Sequence, residues 1–188
     1  MPLITSRLVE FATPWFEVVA KRTNGDDSPY YSLRMQDYVS VIALAGEQVV
    51  LVRQYRPAVE RYTLELPSGH VEADETPEQS ARRELAEETG YHAESMELLG
   101  TLLTDAGRHE NRLWCYLAKA VLPPDGVREP EPGIETVLVH RHALLDLICR
   151  GEYNQALDLS ALLLALARHG QELLSDFKSG KNVDDNRL

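Results

Sequence analysis

Hydrophobic and polar residues alternate in short segments along most of the chain, a pattern typical of half-buried β-strands. Two Val-rich segments, residues 38–45 and 48–55, flank Gly46-Glu47 and predict a β-hairpin. Strands are predicted in this way at residues 7–11, 15–21, 38–45, 48–55, 63–66, 97–103, 112–120 and 134–139. The chain is therefore expected to be built mainly of strands.

Helical signals are confined to one central segment and to the C-terminal part. Residues 77–89 follow Thr76, which can cap the helix together with Gln79, and they end at Gly90. Two further helices are predicted at residues 142–150 and 155–168. Strands with one central helix and terminal helices predict a mixed sheet covered by helices, in an α/β or α+β arrangement.

The composition narrows the classes of partner. The chain has 188 residues, of which 44% are hydrophobic, and it has a formal net charge of −11. We expect one domain, with no nucleic acid and no anionic membrane as partner, since both bind basic patches. The sequence has no apolar run long enough for a membrane span and no signal peptide at its start. Cytoplasmic localisation is therefore expected, with Cys115 and Cys149 as buried, reduced thiols.

The negative charge is concentrated in one part of the chain. Eleven acidic and three basic residues lie between Glu60 and Glu97, so this segment carries a net charge of −8. On the predicted helix, Glu84, Glu87 and Glu88 are three or four positions apart and share one face. A hard divalent cation such as Mg²⁺ would relieve their repulsion, and such sites are usually completed by substrate phosphates. This pattern favours metal-assisted hydrolysis of a phosphate anhydride; a solvated acidic helix is the alternative.

The residues around this helix resemble the signature of the Nudix hydrolase family, G-x5-E-x7-R-E-U-x-E-E-x-G-U, where U is a bulky aliphatic residue. The matching positions are Gly69, Glu75, Arg83, Glu84, Leu85, Glu87, Glu88 and Gly90, with Tyr91 at the last aliphatic position. The resemblance implies a Nudix α/β/α sandwich, here with an N-terminal β extension, and Mg²⁺ or Mn²⁺ as cofactor. It implies metal ligation by Glu84, Glu87, Glu88 and the Ser68 carbonyl.

The same resemblance assigns further residues of the signature. Arg83 and Glu75 are expected to hold the segment in shape through salt bridges, and Arg83 and Glu87 are counted among the catalytic residues. A general base is expected from the loop at residues 128–135, with Glu131 favoured over Glu135 and Glu129. An acidic surface loop without a role is the alternative for this segment.

A wider resemblance, from about Trp15 to Gln155, is to the ADP-ribose pyrophosphatase group. It is carried by residues 51–57 (LVRQYRP) and 64–69 (LELPSG). It implies that Arg56 contacts the diphosphate, a role suited to a bidentate guanidinium, and that Arg53 and Glu65 also bind substrate. Surface charge at the end of a strand is the alternative for the two arginines.

Two positions depart from the pattern of that group, and two aromatic positions follow it. Ala106 stands where the group has a diagnostic proline, and His70 replaces an aliphatic residue. The resemblance also implies that Trp15 stacks on the adenine, with Tyr31 or its neighbour Tyr30 as the second aromatic residue, supplied by the partner subunit. Packing in the core is the alternative for the tyrosines.

These inferences predict three parts of the chain and one activity. Residues 1–37 are an N-terminal β region for dimerisation and base binding, residues 38–175 the Nudix hydrolase domain, and residues 176–188 a polar tail. The predicted homodimer hydrolyses ADP-ribose or a related nucleoside diphosphate sugar to a nucleoside monophosphate and a sugar phosphate. A GDP-mannose-type pyrophosphatase and a non-catalytic nucleotide sensor are the alternatives.

Overall fold

A computed structural model of the chain describes residues 3–25, 28–122 and 131–174. These residues form ten strands and three helices. The elements are β1 (Ile4–Ala12), β2 (Glu17–Thr23), β3 (Tyr30–Arg34), β4 (Tyr38–Ala45), β5 (Gln48–Arg56), β6 (Arg61–Glu65), β7 (Ser68–His70), α1 (Pro77–Thr89), β8 (His92–Leu103), β9 (Arg112–Leu122), β10 (Ile134–His140), α2 (Arg141–Cys149) and α3 (Ala156–Leu174). None of the described helices is both long enough and apolar enough to cross a membrane.

The strands form two sheets. The first is antiparallel, with the order β1-β2-β3, and the second has seven strands in the order β10-β5-β4-β9-β8, with β6 on β5 and β7 on β4. The pair β4–β9 runs parallel within this otherwise antiparallel sheet. A mixed sheet of this kind, with helices packed against it, confirms the predicted fold class.

Two cores lie on the two faces of the larger sheet. Ala81 and Leu85 of α1 pack with Val39 and Val41 on one face, whereas α2 and α3 contribute to a second cluster that includes Ile42. Because β4 is covered on both faces, its sequence is a nearly continuous hydrophobic run. The burial of both faces holds α1 against the sheet, and this contact positions the acidic residues described below.

For two elements, the bounds predicted from local sequence signals agree with the structure. The strand Tyr38–Ala45 and the helix Pro77–Thr89 begin and end where the sequence predicts. Thr76 and Gln79 form the reciprocal capping box, and Gly90 ends α1 with φ of 74°, in the left-handed region that glycine adopts most readily.

Other sequence predictions need correction. Residues 68–70 lie outside the predicted strands but form β7, which pairs with Tyr38–Ser40, because a partner distant in sequence stabilises this short, Gly-containing segment. Helix α3 continues to Leu174, with a break in helical geometry at His169. Cys115 is buried as expected, but Cys149 is exposed at the end of α2.

The position of the site follows from a split in the larger sheet. Strands β4 and β5 pair only near their hairpin turn, where Ala43 is opposite Val50 and Ala45 is opposite Gln48. Beyond this point β4 pairs with β7, and β5 pairs with β6. The two branches therefore diverge and leave a cleft between them.

The smaller sheet is joined to the loop between β8 and β9. The backbone of Leu33 on β3 accepts from the N–H of Glu110 and donates to the carbonyl of Arg108, at 2.9 and 2.7 Å. The Glu110 carboxylate also accepts from Ser32 Oγ at 2.6 Å and pairs with Lys21 at 2.7 Å. The N-terminal sheet therefore fixes this loop. The division at residue 37 stays a prediction, and the predicted tail at residues 176–188 lies outside the described residues.

Candidate functional site

The acidic face of α1 turns two of its three carboxylates towards the sheet. The Glu88 side chain is 4% exposed, the Glu84 side chain 13% and the Glu87 side chain 45%. The N–H of Ser68 donates to Glu88 Oε2 at 2.9 Å. The sequence spacing therefore places Glu84 and Glu88 beside β7, with Glu87 at the rim.

Burial opposes ionisation of both inner carboxylates. Burial raises the pKa of Glu88 to about 8, the Ser68 N–H opposes the rise, and the charge of Glu84 adds to it. Burial likewise raises the pKa of Glu84, against the effect of Arg83. Two neighbouring carboxylates that are hard to ionise together form a site that a cation would stabilise.

Arg83 connects α1 to the strand and loop before it. Its guanidinium pairs with Glu75 at 3.0 Å, Glu84 at 2.8 Å and Glu87 at 3.2 Å. It also donates to the carbonyl of His70 at 3.1 Å. The predicted salt bridge between Arg83 and Glu75 is therefore present, and it fixes the position of β7 relative to α1.

The donor atoms fit a hard cation, although they are not assembled around one point. Within the described ranges, no three His, Cys, Asp or Glu side chains are grouped closely enough to bind a metal ion. The reason is visible at Arg83, which draws Glu84 and Glu87 towards itself. Carboxylate and carbonyl oxygens are the ligands that Mg²⁺ prefers. Release of Glu84 from Arg83 would free one of its oxygens for a cation beside Glu88.

Gly69 leaves the space that Glu84 occupies. A Cβ atom at Gly69 would lie 2.0 Å from Glu84 Oε1, far inside van der Waals contact. A side chain at this position and the observed position of the Glu84 carboxylate therefore exclude each other. Because the obstructing atoms belong to the end of a flexible side chain, an alanine would displace the carboxylate and leave the fold intact.

We therefore expect Gly69→Ala to weaken metal binding. Displacement of one ligand should reduce the affinity for Mn²⁺ by about 10- to 100-fold, the range found when residues that orient metal ligands are replaced. The melting temperature should stay unchanged. Titration calorimetry measures the affinity. Gly170→Ala is the matched control because nothing lies within 4 Å of its Cβ position; equal affinities in both variants would contradict the expectation.

A cavity of about 740 Å³ lies in the cleft between the diverging strands and includes Ser68 in its wall. Its other walls come from β4, β6, the β8–β9 loop and the start of α3. Arg56 and Glu65 both line it, so the structure brings these two predicted residues together beside the Ser68–Glu88 contact.

Glu65 holds Arg56 in a fixed orientation. Its two oxygens accept from Nε and Nη2 of Arg56 at 2.9 and 2.7 Å, and Thr63 donates to it at 2.6 Å. Burial alone would raise the pKa of Glu65, but these hydrogen bonds outweigh it and hold the pKa below its usual value. Glu65 is thus an ionised anchor for Arg56, and a direct contact with substrate stays a prediction.

Arg53 is separated from Arg56. Its Nη1 pairs with Glu135 at 3.1 Å, and its guanidinium lies 4.1 Å from the centre of the Tyr62 ring. Residues three apart on a strand face opposite sides, and Arg53 is not among the residues that line the cavity. The structure therefore does not bring Arg53 to the site.

The late loop brings one predicted base to α1. The N–H of Glu131 donates to the carbonyl of Glu87 at 3.3 Å, and the charge of Glu131 contributes to the raised pKa of Glu84. Glu135, in contrast, pairs with Arg53. Glu129 lies outside the described residues.

Aromatic rings lead from the surface to the cavity. Trp15 is 70% exposed, and its ring centre lies 6.1 Å from that of His70, stacked at 24°. His70 in turn contacts Tyr38, which lines the cavity, at 4.5 Å. Tyr30 and Tyr31 are both exposed, and the Tyr30 hydroxyl donates to the carbonyl of Gly107. Packing of these two tyrosines in the core is therefore excluded.

Asp158 is a buried residue of the cavity wall that the sequence did not single out. It is 3% exposed and accepts a hydrogen bond from the Leu66 N–H at 2.8 Å. Burial raises its pKa to about 7, opposed by the Leu66 N–H and reinforced by the charge of Glu65. In the sequence it is an ordinary acidic residue in the first turn of a helix, so no local signal marks it.

The raised pKa of Asp158 implies a pH-dependent stability. Its folded pKa of about 7 exceeds the ordinary value of 3.8, so this group destabilises the fold as pH rises through that interval. Asp158→Asn keeps the acceptor for Leu66 and should stabilise the protein at pH 8 by up to about 4 kcal/mol, with little gain at pH 4. The ionisable groups around it are Glu65, Arg56, Tyr153 and Cys115. Urea unfolding at both pH values measures the difference; equal pH dependence in both proteins would contradict it.

Comparison with known proteins agrees with this arrangement. Residues 34–155 match the NUDIX domain. The chain is 39% identical over 99 residues to the methanol dehydrogenase activator of Bacillus methanolicus, covering 52% of this chain and 54% of that protein. It is 33% identical over 107 residues to the ADP-ribose pyrophosphatase of Bacillus subtilis, covering 56% and 58%. The chain thus spans about half the length of these curated relatives.

A solved structure supports the fold over a longer span. The crystal structure of an ADP compounds hydrolase covers 91% of this chain and 95% of its own chain, with a TM-score of 0.77 and 21% sequence identity. At this identity the likeness concerns the fold, including the additional N-terminal region that lies outside residues 34–155.

Proposed function

The chain belongs to the Nudix hydrolase family, and on this basis we propose that it hydrolyses the diphosphate bond of ADP-ribose or a related nucleoside diphosphate sugar. The products are a nucleoside monophosphate and a sugar phosphate. The observation that carries the proposal is the junction of two features: the buried carboxylate of Glu88, beside the partly buried Glu84, contacts Ser68, and Ser68 lines a cavity that presents the anchored guanidinium of Arg56.

The charges at this junction suit a diphosphate. The two hydrogen bonds to Glu65 use Nε and Nη2 of Arg56 and not Nη1. A guanidinium held in this way can donate from Nη1 to phosphate oxygens. The residues that would hold Mg²⁺ or Mn²⁺ are Glu84, Glu88, Glu87 and the Ser68 carbonyl. When bound there, a divalent ion would neutralise charge on the diphosphate and lower the pKa of the water that it coordinates.

Glu131 is the residue that we propose as general base. It adjoins Glu87 through its backbone, and its charge acts on Glu84, so it lies at the rim of the acidic face. Its carboxylate would accept the proton of the water that attacks the diphosphate. Glu135 is the second candidate, with its carboxylate engaged by Arg53.

Trp15 is proposed to stack on the nucleobase. Trp15→Ala should raise KM by several-fold with a smaller change in kcat, because base–aromatic stacking contributes about 1–3 kcal/mol. Steady-state kinetics measures both constants. Tyr55→Ala, which removes another exposed aromatic residue from β5, is the control; an unchanged KM in Trp15→Ala would remove Trp15 from the site.

The proposed active form is a homodimer. Every residue of β1 is exposed, including the apolar Leu8 and Phe11, so the N-terminal sheet offers an apolar surface to a second copy. Tyr31, also exposed on this sheet, is the proposed second aromatic residue for the base of the partner's substrate. Action in the cytoplasm is part of the same proposal.

A substrate panel tests the proposed function. ADP-ribose, ADP-glucose, UDP-glucose and GDP-mannose are incubated separately with the protein and Mg²⁺, and AMP, UMP and GMP are quantified. We expect the highest kcat/KM for an ADP compound. Preference for GDP-mannose would favour the alternative sugar-nucleotide pyrophosphatase, and binding without any cleavage would favour a nucleotide sensor.

A further inference from the structure

One wall of the cavity carries a buried amide with an unused donor. Asn111 is 2% exposed and lines the cavity. Its Oδ1 accepts from Thr104 Oγ1 at 2.9 Å, whereas its buried Nδ2 atom has no hydrogen-bond partner within the described part of the chain. Buried polar atoms are nearly always paired in folded proteins, so the Nδ2 group lacks an acceptor that a ligand or a water molecule would supply.

This amide is the end of a chain of hydrogen bonds. Thr104 Oγ1 contacts both Asn111 Oδ1 and, at 3.1 Å, His109 Nδ1. A hydroxyl has one hydrogen; with Thr104 donating it to Asn111 Oδ1, His109 Nδ1 is the donor to Thr104. Proton donation therefore runs from His109 through Thr104 to Asn111 and leaves the two Nδ2 hydrogens unused.

The loop that carries this chain of hydrogen bonds is held in place from outside. Leu33 of β3 bonds to the backbone of residues 108 and 110, and Ser32 Oγ bonds to the Glu110 carboxylate. These contacts lie on the N-terminal sheet and do not involve the cavity wall. The donor of Asn111 is therefore presented on a supported loop, as a preorganised recognition group requires.

A second unpaired polar atom belongs to a residue that lines the same cavity. Ser40 is 1% exposed and lines the cavity, and its Oγ atom is buried without a partner among the described residues. Ser40 is paired in register with Ser68 on β7 and with Cys115 on β9. Asn111 precedes Cys115 by four residues, which corresponds to roughly 13 Å at about 3.3 Å per residue.

The chemistry between these two atoms suits a neutral, hydroxylated group. Thr104 adds a hydroxyl beside Asn111, and Asn154 and Gln155 add side-chain amides to the lining, whereas the guanidinium groups of Arg56 and Arg61 in the same lining are held by Glu65 and Asn154. Hydroxyl groups both donate and accept, so they can pair with an amide N–H and with a serine hydroxyl. A phosphate would instead need positive charge at these positions.

We propose that this part of the cavity binds the sugar on the far side of the diphosphate, with Asn111 Nδ2 and Ser40 Oγ as partners for its hydroxyl groups. The proposal rests on the proposed function, which places a sugar beyond the phosphates held at Arg56. Asn111 and Ser40 are then residues that determine specificity for the sugar.

The test compares a substrate that has the sugar with one that lacks it. The first is the sugar nucleotide that the wild type cleaves fastest in the panel, and the second is the β-methyl ester of ADP, which keeps the diphosphate. For Asn111→Leu and for Ser40→Ala we expect the ratio of the two kcat/KM values to fall about ten-fold, the loss typical of one buried hydrogen bond left unpaired.

Two matched controls separate binding from support of the fold. Ser32→Ala removes the hydroxyl that holds the loop at Glu110 without reaching the cavity. Thr136→Val removes another buried, unpaired hydroxyl on β10, away from the cavity. Both variants should keep the wild-type ratio. A ratio that falls equally in Ser32→Ala would assign Asn111 to loop support and overturn the proposal.

The melting temperature gives a second readout. Ser40→Ala removes a buried hydroxyl that has no partner among the described residues, so its melting temperature without substrate should equal or exceed that of the wild type. A structural role for Ser40 would lower it. Loss of the specificity ratio without loss of stability is the combination expected of a ligand-binding serine.

The remaining outcomes distinguish this inference from the proposed function. A wild type that cleaves neither the sugar nucleotides nor the methyl ester contradicts the proposed function and, with it, the sugar site. A wild type that cleaves both, with an unchanged ratio in Asn111→Leu and Ser40→Ala, contradicts the sugar site alone and leaves water as the partner of both atoms.

Discussion

Replacement of Glu84 or Glu88 by glutamine should lower kcat by about a thousand-fold or more. Each glutamine keeps the size of the side chain but removes an anionic oxygen from the acidic face of α1. Several kcal/mol of stabilisation by a bound cation are expected to depend on that charge, and each factor of ten in rate corresponds to about 1.4 kcal/mol. Initial rates with ADP-ribose at saturating Mg²⁺ measure the effect.

The matched control for this prediction lies on the same helix. Glu78→Gln alters an exposed glutamate that pairs with Arg82 on the outer side of α1 and should retain the wild-type rate. Circular dichroism should show a folded protein in all three variants. A Glu84→Gln protein that keeps more than about a tenth of the wild-type kcat, at saturating Mg²⁺, would contradict the assignment of Glu84 as a ligand.

Replacement of Arg56 by alanine should lower kcat/KM by about a hundred-fold and also destabilise the fold. The loss of activity follows from removal of the guanidinium that we propose to donate to the diphosphate, worth about 3 kcal/mol for charge-assisted hydrogen bonds. The loss of stability, about 2 kcal/mol, follows because Glu65 becomes a buried charge without its partner. It is smaller than for a fully buried pair because Arg56 is 44% exposed.

A second substitution separates the two effects. Arg56→Ala combined with Glu65→Gln removes the unpaired charge, so stability should return towards the wild-type value while activity stays low. Urea unfolding and steady-state kinetics on the same preparations measure both. Recovery of activity together with stability would show that Arg56 supports the fold and does not bind the diphosphate.

Features with local causes could be predicted from the sequence. The capping box of α1 and its terminal glycine depend on residues within one or two turns, and the hairpin of β4 and β5 depends on a two-residue connection. The pair Arg83–Glu75 followed from the resemblance to a family. These predictions needed no knowledge of which strands become neighbours.

Features with distant causes could not be predicted in this way. Asp158 contacts a backbone N–H 92 residues away in sequence, and Ser40 and Asn111 line the same cavity only in the folded chain. A serine in a buried strand has the same local pattern whether its hydroxyl is paired or unpaired. The separation of Arg53 from Arg56 follows from strand alternation, but the resemblance grouped them by proximity in sequence.

The most direct measurement is the incubation of the wild-type protein with ADP-ribose, with and without Mg²⁺, followed by chromatographic and ³¹P NMR identification of the products. We expect AMP and ribose 5-phosphate in equal amounts with Mg²⁺ and intact ADP-ribose after chelation of the metal by EDTA. ADP-ribose that remains intact at millimolar Mg²⁺ and Mn²⁺, or cleavage unaffected by EDTA, would contradict a metal-dependent ADP-ribose hydrolase built on the acidic face of α1.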